Sequence, residues 1–178
     1  MKQSLRQRLA PLTLTALVIA ADQITKAVVQ ARFDMYRPVA VLGEFLRITL
    51  KRNTAMAFSF GHRLAPEAQR VLFLIVPLLV MVAVAVYYFR ATDLSRGQRW
   101  MVAAVLGGGL GNYVDRIFHA EGVVDFIDVK FYGIFGLERW PTFNVADATV
   151  VVAGILLVVS MVVLEARLKS RTETESKR

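Results

Sequence analysis

Cysteine is absent from this 178-residue chain, which excludes disulfides, thiol nucleophiles and cysteine-based metal sites. Histidine is scarce, because His62 and His119 are the two copies and they follow no metal-ligand spacing such as HExxH. A serine-type protease is also disfavoured, since the sequence has no Gly-x-Ser-x-Gly motif. Charged residues make up 20% of the chain, below the roughly 25% of an average soluble protein. The distribution of the apolar residues is therefore the main guide to the fold.

Apolar side chains form 56% of the sequence and the mean hydropathy is +0.48. A transmembrane helix requires about 20 largely apolar residues. Four segments meet this requirement, namely 9–29, 71–89, 100–118 and 148–164. The first segment lacks a small-residue cleavage site and continues into Asp22 and Lys26. We therefore interpret it as a retained span and not as a signal peptide.

The basic residues behind the net charge of +8 are grouped at the ends of the predicted spans. The groups are Lys2, Arg6 and Arg8, then Arg90, Arg96 and Arg99, then Arg167, Lys169, Arg171, Lys177 and Arg178. This grouping is typical of membrane orientation and argues against nucleic-acid binding. The positive-inside rule places both termini in the cytoplasm. Connections 30–70 and 119–142 then face outward, although the first of them also holds basic residues at lower density.

The outward connections carry strand patterns. Leu46, Ile48 and Leu50 alternate with polar residues, which predicts a strand, and residues 131–135 predict a second one. The predicted fold is a mainly α membrane protein, a four-transmembrane-helix bundle with a small outward-facing β-sheet cradle. It forms a single domain over residues 1–178. The tail 170–178 is polar and is predicted to be disordered.

Polar residues from separate regions of the chain reach one predicted depth, the outer third of the bilayer, at about 1.5 Å per helical residue. They are Asp22 in the first span, Asn112 and Asp115 in the third, Asp125 after it, and Asn144 and Asp147 at the start of the fourth. Charges at this depth are costly, so they indicate a functional site. Two carboxylates that face each other there would share a proton and could activate water.

Structural roles are alternatives at most of these positions. Asp22 and Lys26 can pair as i, i+4 neighbours, Asp115 with Arg116 can lock the third span to the outer connection, and Asn144 with Asp147 can form a capping box. Gly107, Gly108, Gly109 and Gly111 favour close helix packing over a nucleotide loop. The residues alone do not distinguish Asp125 from Asp128 as the partner of Asp147.

A small membrane transporter or proton channel is the main alternative function, because intramembrane Asp, Lys and Arg often mark ion paths. Transporters tend to place their sites near the midplane between internal repeats. This sequence has one off-centre polar layer and no internal repeat. A non-catalytic assembly protein, in which the polar residues only join helices, is the second alternative.

Five sequence blocks follow one another between residues 22 and 147. They are DQITK at 22–26, NTAMAFS at 53–59, GGLGNYVDR at 108–116, VVDFID at 123–128 and WPTFNVAD at 140–147. In order and spacing these blocks resemble the lipoprotein signal peptidase (signal peptidase II) family of bacterial integral-membrane aspartyl proteases. One departure is Ala55, where the family usually has glycine, and this puts the backbone geometry near Asn53 in question.

The resemblance implies that Asp125 and Asp147 form a catalytic dyad. It also implies roles in binding or supporting the substrate for Asn53, Asn112, Arg116, Asn144, Asp115, Asp22, Lys26 and Gly108. The implied reaction removes the signal peptide of a prolipoprotein by a cut just before a diacylglyceryl-modified cysteine. Implied partners are such precursors and membrane lipids, with no nucleic acid, no metal and no organic cofactor. The implied enzyme is a monomer in the bacterial cytoplasmic (inner) membrane, with its site near the outer, periplasmic face.

Overall fold

A computed structural model describes residues 5–35, 37–53, 66–119 and 121–176 of the chain. Its helices are α1 Leu5–Leu9, α2 Leu12–Arg32, α3 Pro66–Arg90, α4 Arg96–Phe118 and α5 Val145–Ser176. Its strands are β1 Val39–Leu42, β2 Leu46–Asn53, β3 Val123–Ile134 and β4 Leu137–Arg139. Helix α4 lies at the centre of the bundle, because it packs against α2, α3 and α5.

Two sets of polar contacts fix the connection between α3 and α4. Ser95 and Gln98 form a capping box that starts α4, in which each side chain bonds the backbone N–H of the other residue. The buried Arg99 guanidinium donates to the carbonyl oxygens of Tyr88 at 2.8 Å and Ala91 at 2.7 Å. These carbonyls lie at the C-terminal end of α3, where helix carbonyls lack intrahelical partners and a positive charge is favourable. The two helices are therefore held antiparallel.

Glycines in α4 allow three helices to approach it closely, as their spacing predicted. A Cβ added at Gly107 would lie 2.8 Å from the Cβ of Val18 in α2, and one at Gly111 would lie 2.8 Å from Asp22 Oδ2. One at Gly109 would overlap the Met81 side chain of α3. Small residues at helix interfaces are typical of packing in membranes.

Gly108 faces α5, and its replacement by alanine tests the closest of these approaches to a backbone atom. The added Cβ would lie 2.5 Å from the carbonyl oxygen of Ala146, a backbone atom that moves only with its helix. Overpacking costs about 1–3 kcal/mol, and the gain in helix propensity is about 1 kcal/mol. We expect Gly108→Ala to lower the free energy of unfolding by about 1 kcal/mol, measured by denaturation in detergent micelles.

Gly154→Ala is the matched control for this prediction. Gly154 lies in α5, and a Cβ there would meet no atom within 4 Å. This substitution is expected to stabilise the protein by up to about 1 kcal/mol through helix propensity alone. Equal stability of the two variants would contradict the packing role of Gly108.

Three helices among the described residues are long and apolar enough to cross a membrane, within the segments Leu5–Arg32, Val71–Arg90 and Val145–Arg167. They contain the predicted spans 9–29, 71–89 and 148–164. In the segments Val71–Arg90 and Val145–Arg167, only 6% of the most apolar stretch is buried inside the protein. These two helices therefore expose apolar surface to their surroundings.

Helix α4, predicted as the span 100–118, is not among these three segments, so the count of four spans is not confirmed. The position of α4 explains why it is less apolar than those three segments, because the centre of a bundle accommodates polar side chains that lipid would exclude. Gln98, Arg99, Asn112 and Asp115 are all buried on this helix.

The sheet is antiparallel throughout, in the order β1-β2-β3-β4. The predicted strand at 46–51 is confirmed as part of β2, whereas the strand predicted at 131–135 is the end of a much longer β3. The strands β1 and β4 are not predicted by the sequence. The aspartates at 125 and 128 interrupt the apolar alternation of β3, and for this reason the sequence does not predict its first two thirds. A core of Val29, Leu50, Val124 and Phe126 joins the sheet to α2.

The polar tail 170–178 was predicted to be disordered, and this is wrong for the residues up to Ser176, because α5 continues that far. Charged residues at i, i+4 spacing stabilise exposed helices. Glu165 and Lys169 form such a pair at 2.9 Å in the last part of α5.

Candidate active site

The first turn of α5 brings Asn144 and Asp147 together. The Asp147 N–H donates to Asn144 Oδ1 at 2.9 Å, and the Asn144 N–H donates to Asp147 Oδ2 at 3.2 Å. This reciprocal pair is the capping box that the spacing suggested. It fixes the Asp147 carboxylate at a helix N-terminus, where negative charge is favourable.

Asp125 lies on β3 and is buried. Its Oδ1 accepts a hydrogen bond from Asn144 Nδ2 at 2.7 Å, and its Oδ2 accepts one from Asn53 Nδ2 at 2.9 Å. Asp128 has a different environment, because its Oδ1 accepts from Arg139 Nε at 2.6 Å. Asp125 is therefore the aspartate of this strand that lies beside Asp147, and Asp128 is the one that joins β3 to β4.

Two asparagines join the carboxylates of Asp125 and Asp147. Asn144 bonds both of them, as described above. Asn112 of α4 donates from Nδ2 to Asp147 Oδ1 at 2.7 Å and accepts at Oδ1 from Asn144 Nδ2 at 3.0 Å. The two carboxyl groups are thus linked through the side-chain amides of Asn144 and Asn112, although they come from a strand and a helix that are distant in sequence.

Lys26 of α2 lies behind this amide layer, with its side chain only 2% exposed. Its ammonium contacts Asp22 Oδ2 at 2.7 Å, Asp115 Oδ2 at 3.0 Å and Asn112 Oδ1 at 2.9 Å. An ammonium can only donate, so the oxygen of Asn112 must face Lys26. The Asn112 amide N–H groups are thereby directed away from the lysine, and one of them bonds Asp147.

Asp22 and Asp115 connect this cluster to the backbone of other elements. Asp22 Oδ1 accepts from the Ala146 N–H of α5 at 3.0 Å, and Asp115 Oδ2 accepts from the Val124 N–H of β3 at 3.0 Å. Sequence reasoning gave Gln23 no role, but its Nε2 donates to Asp115 Oδ1 and to the Gly111 carbonyl, each at 3.0 Å. Its place beside Asp22 in the first block was the available signal.

A groove of about 440 Å³ opens beside Asp147 between α3, α4 and α5. Asn112 and Arg116 also line it, and its remaining walls are apolar, with Val76, Val80, Met81, Val84 and Val151 among them. The Arg116 guanidinium lies 4.7 Å from the centre of the Phe73 ring, and its buried Nε has no hydrogen-bond partner among the described residues. An apolar groove with a few polar groups at one point is typical of a ligand site.

Burial raises the pKa of the Asp125 carboxyl to about 6. The hydrogen bond from Asn53 opposes this increase, and the charge of Asp147 adds to it. Asp125 can therefore hold a proton near neutral pH while it lies close to a second carboxyl group. Such a pair can act as acid and base on one water molecule. No group of three or more His, Cys, Asp and Glu side chains in the described parts of the chain is arranged to hold a metal ion.

Known proteins resemble this chain in sequence and in fold. Residues 14–163 match the family model described as signal peptidase (SPase) II. The lipoprotein signal peptidase of Treponema denticola is 44% identical over 152 residues, 85% of this chain and 88% of that protein. The corresponding enzyme of Treponema pallidum is 42% identical over 167 residues, 93% of this chain and 90% of that one.

The fold also matches a solved structure described as a bacterial membrane enzyme at 1.9 Å resolution. The TM-score is 0.72 and the identity 26%, over 85% of this chain and 92% of that one. Since the family model and both relatives cover most of the sequence, this chain belongs to the signal peptidase II (lipoprotein signal peptidase) family of membrane proteases.

Proposed function

We propose that this protein is an intramembrane aspartyl endopeptidase that removes the signal peptide from prolipoproteins. The cut falls just before the diacylglyceryl-modified cysteine, and Asp125 and Asp147 activate the water. The observation that carries this proposal is the contact of Asn144 with both carboxyl groups: its side-chain Nδ2 donates to Asp125, and its backbone N–H donates to Asp147, which lines the groove. The transporter and assembly alternatives have no comparable support from the family to which the chain belongs.

The two aspartates take different roles in the proposed reaction. Asp147 is the base, because it lies at the N-terminus of α5 and accepts from Asn112 and Asn144. Asp125 holds the proton in the resting state, because burial raises its pKa. Asp147 takes a proton from water while the water oxygen attacks the scissile carbonyl carbon, and Asp125 donates its proton to the carbonyl oxygen. When the C–N bond breaks, Asp147 gives its proton to the leaving amine and Asp125 recovers a proton from the diol.

The remaining residues of the site position this pair. Asn53 and Asn144 hold Asp125, and Asn112 holds Asp147. Arg116 lies where it can bond a substrate carbonyl in the groove. Lys26, Asp22 and Asp115 support Asn112 from behind, and Gly108 allows α5 to approach α4.

The pH dependence of cleavage tests the assignment of the resting proton to Asp125. The proposed active state needs one proton on the pair, so kcat/KM should fall as pH rises through about 6. Asn53→Ala removes a donor that favours the ionised form of Asp125. The pKa of Asp125 then rises further, and the alkaline limb of the profile should move to higher pH.

Glu44→Gln is the control for the pH experiment. Glu44 is an exposed acid in the turn between β1 and β2, and its pKa is lowered by Lys130 and Arg47. Its replacement should leave the alkaline limb in place. An Asn53→Ala limb that stayed in place or moved to lower pH would contradict the assignment.

We also propose that α4 crosses the membrane as the fourth span, that both termini are cytoplasmic, that the site lies near the outer face and that the monomer is active. The positive-inside rule supports this orientation. A reporter enzyme fused after Arg178 is expected to be active in the cytoplasm, and the same reporter inserted after Gly136, between β3 and β4, should be active outside. Exchange of these two results would reverse the orientation.

Cleavage of a defined precursor tests the proposed function directly. The purified protein in vesicles should release a product whose new N-terminal residue is the diacylglyceryl-modified cysteine, identified by mass spectrometry. The same precursor without the lipid should remain uncleaved. Cleavage at another peptide bond, or ion flux across the vesicle membrane without cleavage, would reject the proposal.

A further inference from the structure

The groove beside Asp147 is polar at one end only. Asn112, Arg116 and Asp147 line this end. Along α4 the lining continues from Asn112 through Gly109 to Val105. Val105 lies about 10 Å from Asn112 along the helix axis, because each helical residue rises about 1.5 Å. An apolar segment that fills the groove therefore has one end beside the proposed dyad.

Met81 of α3 belongs to the apolar wall of this groove, and its side chain lies against Gly109 of α4. A Cβ added at Gly109 would overlap Met81 Sδ and would lie 2.6 Å from Met81 Cε. The same Cβ would lie 3.5 Å from Met81 Cγ, which is an ordinary contact distance. The sulfur and the methyl group of Met81 therefore occupy the space that a side chain at position 109 would need.

The contact between Gly109 and Met81 differs from the other close approaches to α4. Gly108 meets the carbonyl oxygen of Ala146, which moves only with its helix. Met81 instead has an unbranched side chain with three rotatable bonds, so its end can move alone. On its other side Met81 packs against the core cluster around Tyr88, where close packing leaves no room. A methyl group added at Gly109 would therefore turn the end of Met81 into the groove.

We propose that Met81 and Gly109 determine the largest side chain that the groove accepts just before the scissile bond. This inference rests on the proposed function, which places the bond to be cut at Asp125 and Asp147. The signal peptide lies on the N-terminal side of that bond, and its apolar side chains match the apolar part of the groove. Met81 and Gly109 are therefore specificity-determining residues, and they take no part in the chemistry.

The position of Gly109 indicates which substrate residue meets this pair. Gly109 lies three residues before Asn112, which bonds Asp147. This separation corresponds to about 4.5 Å along the helix axis. An extended chain advances about 3.3 Å per residue, so the separation equals one or two substrate residues. The pair thus faces the first or the second residue before the cut.

A series of lipidated precursors tests this inference. The first and the second residue before the cut are varied in turn among glycine, alanine, valine and leucine, and kcat/KM is measured in vesicles. The largest residue that the unmodified protein still cleaves defines its size limit. Gly109→Ala should lower kcat/KM for that precursor, relative to the glycine precursor, by about 10-fold or more. The reason is that one methylene group in an apolar pocket changes specificity by about 10- to 200-fold.

Met81→Val combined with Gly109→Ala is the decisive variant. Valine keeps carbon atoms at the γ position but lacks the sulfur and the methyl group that the new Cβ would overlap. The ratio of kcat/KM values should therefore return to that of the unmodified protein. Gly154→Ala is the matched control, because it adds the same methyl group to α5 with no atom within 4 Å. It should leave the ratio unchanged.

Methyl NMR of the protein in micelles gives a measurement that is independent of cleavage. Of the six methionine methyl signals, the one lost in Met81→Val should shift in Gly109→Ala and stay in place in Gly154→Ala. An unchanged Met81 signal, an equal loss of cleavage for all precursors, or a double variant that stays impaired would overturn the inference. If the unmodified protein cleaves no precursor, the proposed function fails instead, and the Met81 signal still reports the contact with Gly109.

Discussion

Asp125→Asn and Asp147→Asn are each expected to reduce cleavage of a lipidated precursor by roughly 10²- to 10⁴-fold, the usual contribution of a positioned acid or base. Asparagine keeps the shape of the side chain and can still accept one hydrogen bond, so both variants should remain folded. Neither variant can transfer the proton that the proposed reaction requires. The measurement is the initial rate of cleavage in vesicles, together with a denaturation curve for each variant.

Asp128→Asn is a control on the same strand as Asp125. Asp128 is also buried, but it faces Arg139 and bonds none of the residues around Asp147. We expect activity close to that of the unmodified protein. Cleavage that survives in Asp125→Asn or Asp147→Asn would reject the dyad. Loss of cleavage in Asp128→Asn alone would show that the proposed dyad contains the wrong aspartate of β3.

Lys26→Met is expected to have the largest effect on stability. It leaves Asp22 and Asp115 buried without the cation that both contact. Removal of one partner from a buried ion pair typically costs 3–5 kcal/mol, and we expect a loss of about that size in the free energy of unfolding. Cleavage should fall as well, because Asn112 loses the contact that sets its orientation. Denaturation in micelles and the cleavage rate measure the two effects.

Lys169→Met is an unusually close control, since Lys169 also pairs with an acid four residues earlier, Glu165. The difference is exposure: the side chain of Lys169 is 73% exposed and that of Lys26 is 2% exposed. Exposed pairs contribute about 0–1 kcal/mol, so Lys169→Met should change stability little. Similar losses in the two variants would show that burial does not determine the strength of the Lys26 cluster.

The sequence was sufficient for three of the four predicted apolar spans, because hydropathy depends on local composition. The common depth of the polar residues in the membrane stays a prediction. Each glycine predicted to lie at a helix interface contacts another helix in the structure. The pairing of Asp22 with Lys26 and the capping box of Asn144 and Asp147 are also local, and both are confirmed.

Tertiary contacts explain what the sequence alone could not predict. Asp125 and Asp128 look equivalent in the sequence, and partners on other elements distinguish them: Asn144 for the first and Arg139 for the second. Only the last third of β3 was predicted, because its aspartates are stabilised by residues remote in sequence. Ala55, the departure from the family pattern, lies outside the described residues.

The capping box at the start of α5 makes the proposed dyad sensitive to an insertion in the sequence. Asp147 is at once the residue that closes the first turn and a member of the proposed dyad. One residue inserted between Asn144 and Asp147 would rotate the carboxylate by about 100° around the helix axis. A molecule whose helix α5 began at the wrong residue would therefore lack the proposed dyad. We expect it to be inactive and not to be a protease of altered specificity. The fold of the first turn of α5 and the proposed hydrolytic activity therefore depend on the same residue.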